Sequence, residues 1–541
     1  MKAFRVFLYF LGAISILIGC SQQEDIKPFN PVDPGNVPSQ WLELVRQINL
    51  DHNIYLVKKD GSIQEVLDYA EGGDIIVIEP GIYREAITIE TDVCLIGLLD
   101  EQNEGVVIEN PVESTWCLNP GKYILDLYNV QCRDFAETDA DLRAFATTNQ
   151  PSARRRLLKI ERDELGDQIA HYKIELRVGP GEFDVIGLHR VVREYRPYHP
   201  TRTRGDIFMI HGSIQDFEDI FLVAGAEEIN ATTSAPYYWA DKGIDVWGID
   251  LAWTRIPLEI PDVTFMKEWG VEKDVDHTMA AMKVARLIRV LTRQGFNELN
   301  LLGFSYGVPV AYGAAGRETQ LLPVFRNIKG LIQGDGFVKY GPEHEALRLE
   351  SCQKAAKIKS MLESGMYHTP GGTFLMKLGV SALAEPDQVS PDFGPLTNAQ
   401  AINFVASDHS GNFHFCGGTY EDLYYADPLR FARLAADLTP HMPRQLNYDT
   451  NACQCNEEEV SYEDHLREIN LPIFNLTAEG GSGALGDYTV SITASRDITY
   501  LNVDDPLQDD HTRDFGHGDL WLGYDASQLV WEPLRKWLLD H

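Results

Sequence analysis

Ser305 lies between two glycines, in Gly303-Phe304-Ser305-Tyr306-Gly307, where an apolar run gives way to the alanine-rich stretch "VPVAYGAAG". That order reads as strand, tight turn, helix. A serine on so sharp a turn needs glycine two residues to either side, because larger side chains there would collide with neighbouring backbone, and the turn lifts the hydroxyl clear of the sheet. A hydroxyl becomes a nucleophile only beside a base of near-neutral pKa, which histidine supplies, with a carboxylate to hold the imidazole's tautomer. Fifteen histidines are available. Two, His511 and His517, sit in a polar loop between an apolar strand, Ile498 to Val503, and a final amphipathic helix; His517 is flanked by Gly516, Gly518 and Asp519. Two carboxylates stand at strand ends: Asp335, between glycines in "IKGLIQGDG", and Glu479 in "LPIFNLTAEGGSG". Asp497 and Asp504, at the edges of the following strand, are weaker candidates.

The elements that must position these residues begin near Leu157. Two alternating runs, "HYKIELRV" and "VIGLHRVVRE", joined by a Gly-Pro turn, predict a hairpin or meander. "DIFMIHG" and "GIDVWGID" predict further strands, and Val275, Met279, Met282, Ala285 and Ile288 mark one face of a helix that stops at Gly295. Strands alternating with helices predict an α/β fold with a mostly parallel sheet covered on both faces. From 337 to 466 the alternation lapses into helix formers and aromatics, among them Phe393, Phe404, Phe413, Phe415, Tyr424 and Tyr425, which either pack a helical insertion or line an apolar site.

In these residues the segment from 157 to 541 resembles an α/β-hydrolase, in which nucleophile, acid and histidine follow one another along the chain. The resemblance implies a core over 157–336 and 467–541, with 337–466 inserted after that fold's sixth strand as a cap or lid. It implies Ser305 as nucleophile and His517 as base; Asp335 would be the acid if the carboxylate follows the sixth strand, Glu479 if it follows the seventh. The backbone N–H groups of Ser213, in "MIHGSIQD", and of Tyr306 would form the oxyanion hole. The implied activity is that of a serine esterase or lipase working through an acyl-enzyme on a small-molecule or lipid ester, with no metal or organic cofactor.

A formal charge of −34 excludes general affinity for phosphate backbones, so no nucleic-acid partner is expected. The start "MKAFRVFLYFLGAISILIGC" has basic Lys2 and Arg5, then an apolar run too short to span a bilayer, and "LIGC" resembles a bacterial lipobox. A signal peptide over 1–20, a lipid on Cys20, a tether over 21–50 and a lipid-anchored place in the bacterial cell envelope are the expectations. Seven further cysteines, an odd number, leave at least one unpaired, and Cys453 and Cys455 lack the partners zinc would need, so a disulfide or structural role is expected there. Within 51–133, "GDIIVIEPGIYREAITI" and "CLIG" resemble the opening of parallel β-helices of the pectate-lyase and pectinesterase type, implying a small β-solenoid-like segment packed on the larger domain. That resemblance raises an acylated polysaccharide as substrate, or a catalytically idle surface protein that binds polysaccharide.

Overall fold

The computed structural model describes residues 53–541 except 73, 86, 92, 99–105, 110–117, 120–124, 129, 133–156, 224–228, 371, 408–412, 458–459 and 505–510. The expectations for residues 1–50, Cys20 among them, fall outside that range.

The central sheet is built from β1 (Leu157–Gly166), β2 (Ile169–Arg177), β3 (Val185–Arg196), β4 (Gly205–Ile210), β5 (Ile244–Asp250), β6 (Leu299–Phe304), β7 (Ile328–Gly334), β8 (Ile473–Ala478) and β9 (Ile498–Val503). Their order is β1-β2-β3-β5-β4-β6-β7-β8-β9, with a two-residue strand, His199–Pro200, pairing with β3. The contacts of β1 through β3 are antiparallel, and every pairing from β5–β4 to β8–β9 is parallel. Every residue of β4, β5 and β6 is buried, which is why they read as continuous apolar runs: helices cover both faces of a parallel sheet. β1 is an addition to the strands expected from sequence. "LLKIERDELG" lies at the sheet edge, where charged side chains meet water and the alternation is blurred. The strand counted sixth above is therefore β7.

Helix α1 (Ala235–Asp241) precedes β5, α2 (Val271–Leu291) precedes β6, and α3 (Gly307–Thr319) follows β6 directly. Between β7 and β8 the chain leaves the sheet for α4 (Glu345–Glu363), α5 (Thr373–Ala384), α6 (Asn398–Ala406), α7 (Pro428–Asp437) and α8 (Arg444–Cys455), before α9 (Leu485–Ser491), α10 (Asp519–Leu522) and α11 (Glu532–Asp540) complete the fold. Within the insertion α4 packs on α8, and α5 on α6 and α7.

A disulfide joins Cys352 of α4 to Cys455 of α8 across 103 positions, while Cys453 and Cys416 are buried thiols. Closing so long a loop removes much of the unfolded chain's freedom. Cys352→Ser or Cys455→Ser is accordingly expected to lower unfolding stability by about 2–4 kcal/mol, read as a lower denaturation midpoint that reductant reproduces in the parent protein.

Ahead of the main sheet, short strands stack in register as three parallel sheets: Ile54–Val57, Asp74–Ile78, Val93–Gly97 and Leu125–Tyr128; Gly81–Tyr83, Val106–Ile108 and Val130–Cys132; and Ile87–Thr88 with Leu118–Asn119. Alternate residues divide between two cores. Ile76 and Ile78 pack with Tyr83, Leu95 and Ile108, whereas Ile75, Val77 and Ile96 join Ile174, Leu176 and Ile186 of the main sheet. The period of two thus seals this segment's interior and glues its outer face to β2 and β3.

Candidate active site

Ser305 occupies the left-handed region, φ +55°, between β6 and α3. The strain is held by tight packing that only glycine admits. A Cβ on Gly303 would lie 2.2 Å from the Gly307 carbonyl oxygen, and one on Gly307 would lie 2.5 Å from that of Ile210. Ser305 N–H donates to the Gly334 carbonyl (2.8 Å), tying the turn to the end of β7.

Asp335 follows that strand end, also at positive φ (+44°). Its Oδ1 accepts from Ala478 N–H (2.9 Å), Ser482 N–H (3.0 Å) and the Ser482 hydroxyl (2.7 Å), and its Oδ2 accepts from His517 Nδ1–H at 2.5 Å. Both side chains of that pair are buried. With Nδ1–H donated to the carboxylate, Nε2 is the ring nitrogen left with a lone pair to accept a hydrogen bond.

The His517 ring lies against Phe304 (centroids 4.5 Å, planes 23° apart), beside Phe413 and Phe415. Its backbone is fixed by His517 N–H to the His414 carbonyl (3.1 Å) and by Asp519, whose Oδ2 accepts from Gly417 N–H and Gly516 N–H at 2.8 Å each.

Ser213, Ser305, Tyr306, Asp335, Glu479 and His517 all line one cavity of about 600 Å³, which also touches the insertion through α4 and α8. Glu479 is nevertheless engaged elsewhere: its Oε2 accepts from Asn502 Nδ2 at 2.6 Å. Of the two carboxylates left open by sequence, Asp335 is the one on the imidazole. Asp497 faces His541 instead, and His511 turns to Asp514 in the exposed part of the loop. Of the insertion's aromatics, Phe413 reaches the cavity, while Phe393 packs with Phe374 and Phe404 inside the insertion.

Two supports of the Ser213–Tyr306 side were not assigned that role from sequence. His211 is buried and its tautomer is fixed, since Nε2 accepts from Leu251 N–H (3.2 Å) and Nδ1–H therefore donates to the Gly212 carbonyl (2.8 Å). Burial pushes its pKa down to about 4, so it stays neutral and pins the loop that carries Ser213. Asp274, buried in the first turn of α2, accepts from the Tyr306 hydroxyl (2.7 Å) and from Trp253 Nε1–H (3.2 Å). Neither Ser213 N–H nor Tyr306 N–H donates to another group among the described residues, and Tyr306 stands at the N-terminal end of α3, where the helix dipole favours negative charge.

Desolvation raises the Asp274 carboxyl to about 7. An unfolded aspartate ionises near 4, so between pH 4 and 7 the unfolded chain gives up a proton that the folded one keeps, and stability due to this group falls as pH rises. Buried His211 and His277, held neutral at pKa values of about 4 and 3, titrate with the opposite sign over the same window. The contribution is therefore read by difference. Relative to Asp274→Asn, the parent is expected to lose stability between pH 4 and 7, by at most about 4 kcal/mol, in denaturant titrations at stepped pH.

No family model and no curated protein matches the chain. Among solved structures, one from Sulfolobus solfataricus, provisionally described as a lipase, superposes with a TM-score of 0.50 at 19% identity, covering 71% of this chain and 98% of that one. A soluble variant of monoglyceride lipase from Saccharomyces cerevisiae aligns at 11% identity and TM-score 0.37, over 73% of this chain and 96% of its own. An epoxide hydrolase from Vigna radiata aligns at 10% identity and TM-score 0.36, over 68% and 99%. At such identities the first of these likenesses speaks to architecture alone, and together with the strand order it establishes that the main domain has the α/β-hydrolase fold.

Proposed function

We propose that the protein is a serine hydrolase that cleaves a carboxylic ester through an acyl-enzyme. The observation that carries this is the hydrogen bond of 2.5 Å between His517 Nδ1 and Asp335 Oδ2 beside a cavity that also holds Ser305 on its strained turn. In the first step Ser305 Oγ attacks the ester carbonyl while His517 Nε2 takes its proton; the C–O bond to the alcohol then breaks and the alcohol leaves with that proton. Asp335 holds the tautomer and offsets the imidazolium charge, and the N–H groups of Ser213 and Tyr306 receive the oxyanion. Water, deprotonated by the same histidine, releases the acid. The insertion over 337–466 acts as a cap, because its helices contribute walls to the cavity.

The in-register parallel strands within 51–133 favour a short β-solenoid packed against the core, and the lipobox-like start favours attachment through Cys20 to a bacterial membrane. The test of the central reading is a fluorophosphonate probe applied to the folded protein. Stoichiometric labelling mapped to Ser305 is expected; a folded protein that takes up no label would be an idle scaffold, and the hydrolytic assignment would fall.

A further inference from the structure

The cavity wall opposite the catalytic strand ends has a chemistry that the proposed reaction does not use. Asn447, Thr450, Asn451 and Gln454 of α8 all line it. Their spacing of three, one and three residues places them on a single helix face, while Leu446, Ala452, Cys453 and Cys455, on the other sides of the helix, are buried in the protein. The helix therefore turns its apolar side inward and presents carboxamides and a hydroxyl to whatever fills the cavity.

Some of this hydrogen-bonding capacity is consumed locally. Thr450 Oγ1–H donates to the Leu446 carbonyl (2.9 Å), Asn451 Nδ2 to the Asn447 carbonyl (2.8 Å), and the Ser351 hydroxyl to Gln454 Oε1 (3.3 Å). What remains, the Asn447 carboxamide, Asn451 Oδ1 and Gln454 Nε2, is a mixed row of donors and acceptors without partners among the described residues. Asn447 to Gln454 spans about 10 Å along the axis, more than a single hydroxyl needs.

Among the described residues the cavity lining includes no lysine or arginine, so an anionic headgroup would find no fixed countercharge from them. Its carboxylates are already engaged, Asp335 by His517 and Glu479 by Asn502, which leaves little to attract a cation. A carboxamide offers both a donor and an acceptor, as a sugar hydroxyl does, whereas an apolar alcohol would leave the row desolvated and unpaired.

Resting on the reading of Ser305 as nucleophile, we propose that the alcohol part of the substrate is neutral and polyhydroxylated, an acylated sugar, and that Asn447, Asn451 and Gln454 determine this preference. The disulfide at Cys455 anchors the C-terminal end of the row to α4 and so fixes its position over the cavity.

The experiment compares acetate release by the full chain from mono-O-acetylated glucose, galactose and xylose with release from cyclohexylmethyl acetate, a ring ester without hydroxyls, and uses p-nitrophenyl acetate as an independent report on Ser305. At least one sugar ester is expected to exceed cyclohexylmethyl acetate in kcat/KM by tenfold or more. Asn447→Ala and Asn451→Leu, made separately, are each expected to shrink that ratio by fivefold or more. A parent that hydrolyses p-nitrophenyl acetate through Ser305 but prefers the cyclohexylmethyl ester, or a ratio unmoved in both folded variants, would overturn the sugar assignment and leave the esterase reading standing. A parent inert toward every ester would overturn both. The parent ratio needs no substitution, so the proposal stays testable if a variant fails to fold.

Discussion

Ser305→Ala and His517→Ala proteins are each expected to hydrolyse p-nitrophenyl acetate with kcat lowered by roughly 10⁶-fold, and the double substitution is expected to cost no more than either alone. The lack of additivity follows from the geometry. The hydroxyl is useful only if Nε2 removes its proton, and Nε2 is useful only while a nucleophile stands before it, so losing one partner idles the other. Both substitutions should leave folding intact. Ser305 contributes its backbone, not its hydroxyl, to the turn, through its N–H to Gly334; His517 N–H remains bonded to the His414 carbonyl whatever the side chain. The residual rate over water, about 10³- to 10⁴-fold, would be the share of the oxyanion donors and binding. Steady-state rates with active-site titration of the parent check this, and two variants as fast as the parent would remove Ser305 and His517 from the chemistry.

What could be read beforehand was whatever is local. The turn at Ser305 is announced within five residues, because the clash that requires Gly303 is with Gly307 itself, although the one that requires Gly307 comes from Ile210 at the end of neighbouring β4. The α/β alternation was legible for a similar reason: fully buried parallel strands leave unbroken apolar runs. What stayed open depended on distant partners. His517 and Asp335 are 182 positions apart, and Asp335 and Glu479 both end strands; only the folded sheet sets one against the imidazole and the other against Asn502.

Asp274 was hidden differently. An acid within an amphipathic helix ordinarily faces water, but α2 is covered on more than one side, and the partners that satisfy this carboxyl lie on two other segments. The edge strand β1 was missed because an exposed edge tolerates the charges that sheet interiors forbid. The Cys352–Cys455 pair illustrates the same limit, since parity could announce a leftover thiol without assigning any bond.

The choice between carboxylates can be made by a substitution in which the local hydrogen bonds dictate the outcome. In Asp335→Asn, the donors from Ala478 N–H, Ser482 N–H and the Ser482 hydroxyl converge on the Oδ1 position, so the new carboxamide must keep its oxygen there and direct its NH₂ at His517. Facing a donor, Nδ1 has to become an acceptor, which moves the ring proton to Nε2 and leaves the imidazole unable to accept from Ser305. A fall in kcat of about 10⁴-fold is expected, with folding preserved because the three donors remain satisfied. Asp335→Ala would strand those donors and confound stability with chemistry. Glu479→Gln, by contrast, keeps a carbonyl oxygen for Asn502 and touches no ring nitrogen, so a change of no more than a few-fold is expected. Rates for both variants, measured on protein shown to be folded by circular dichroism, decide the matter: a larger loss in Glu479→Gln than in Asp335→Asn would mean that the short contact to Asp335 serves the architecture and that the imidazole takes its orientation from the neighbouring strand end.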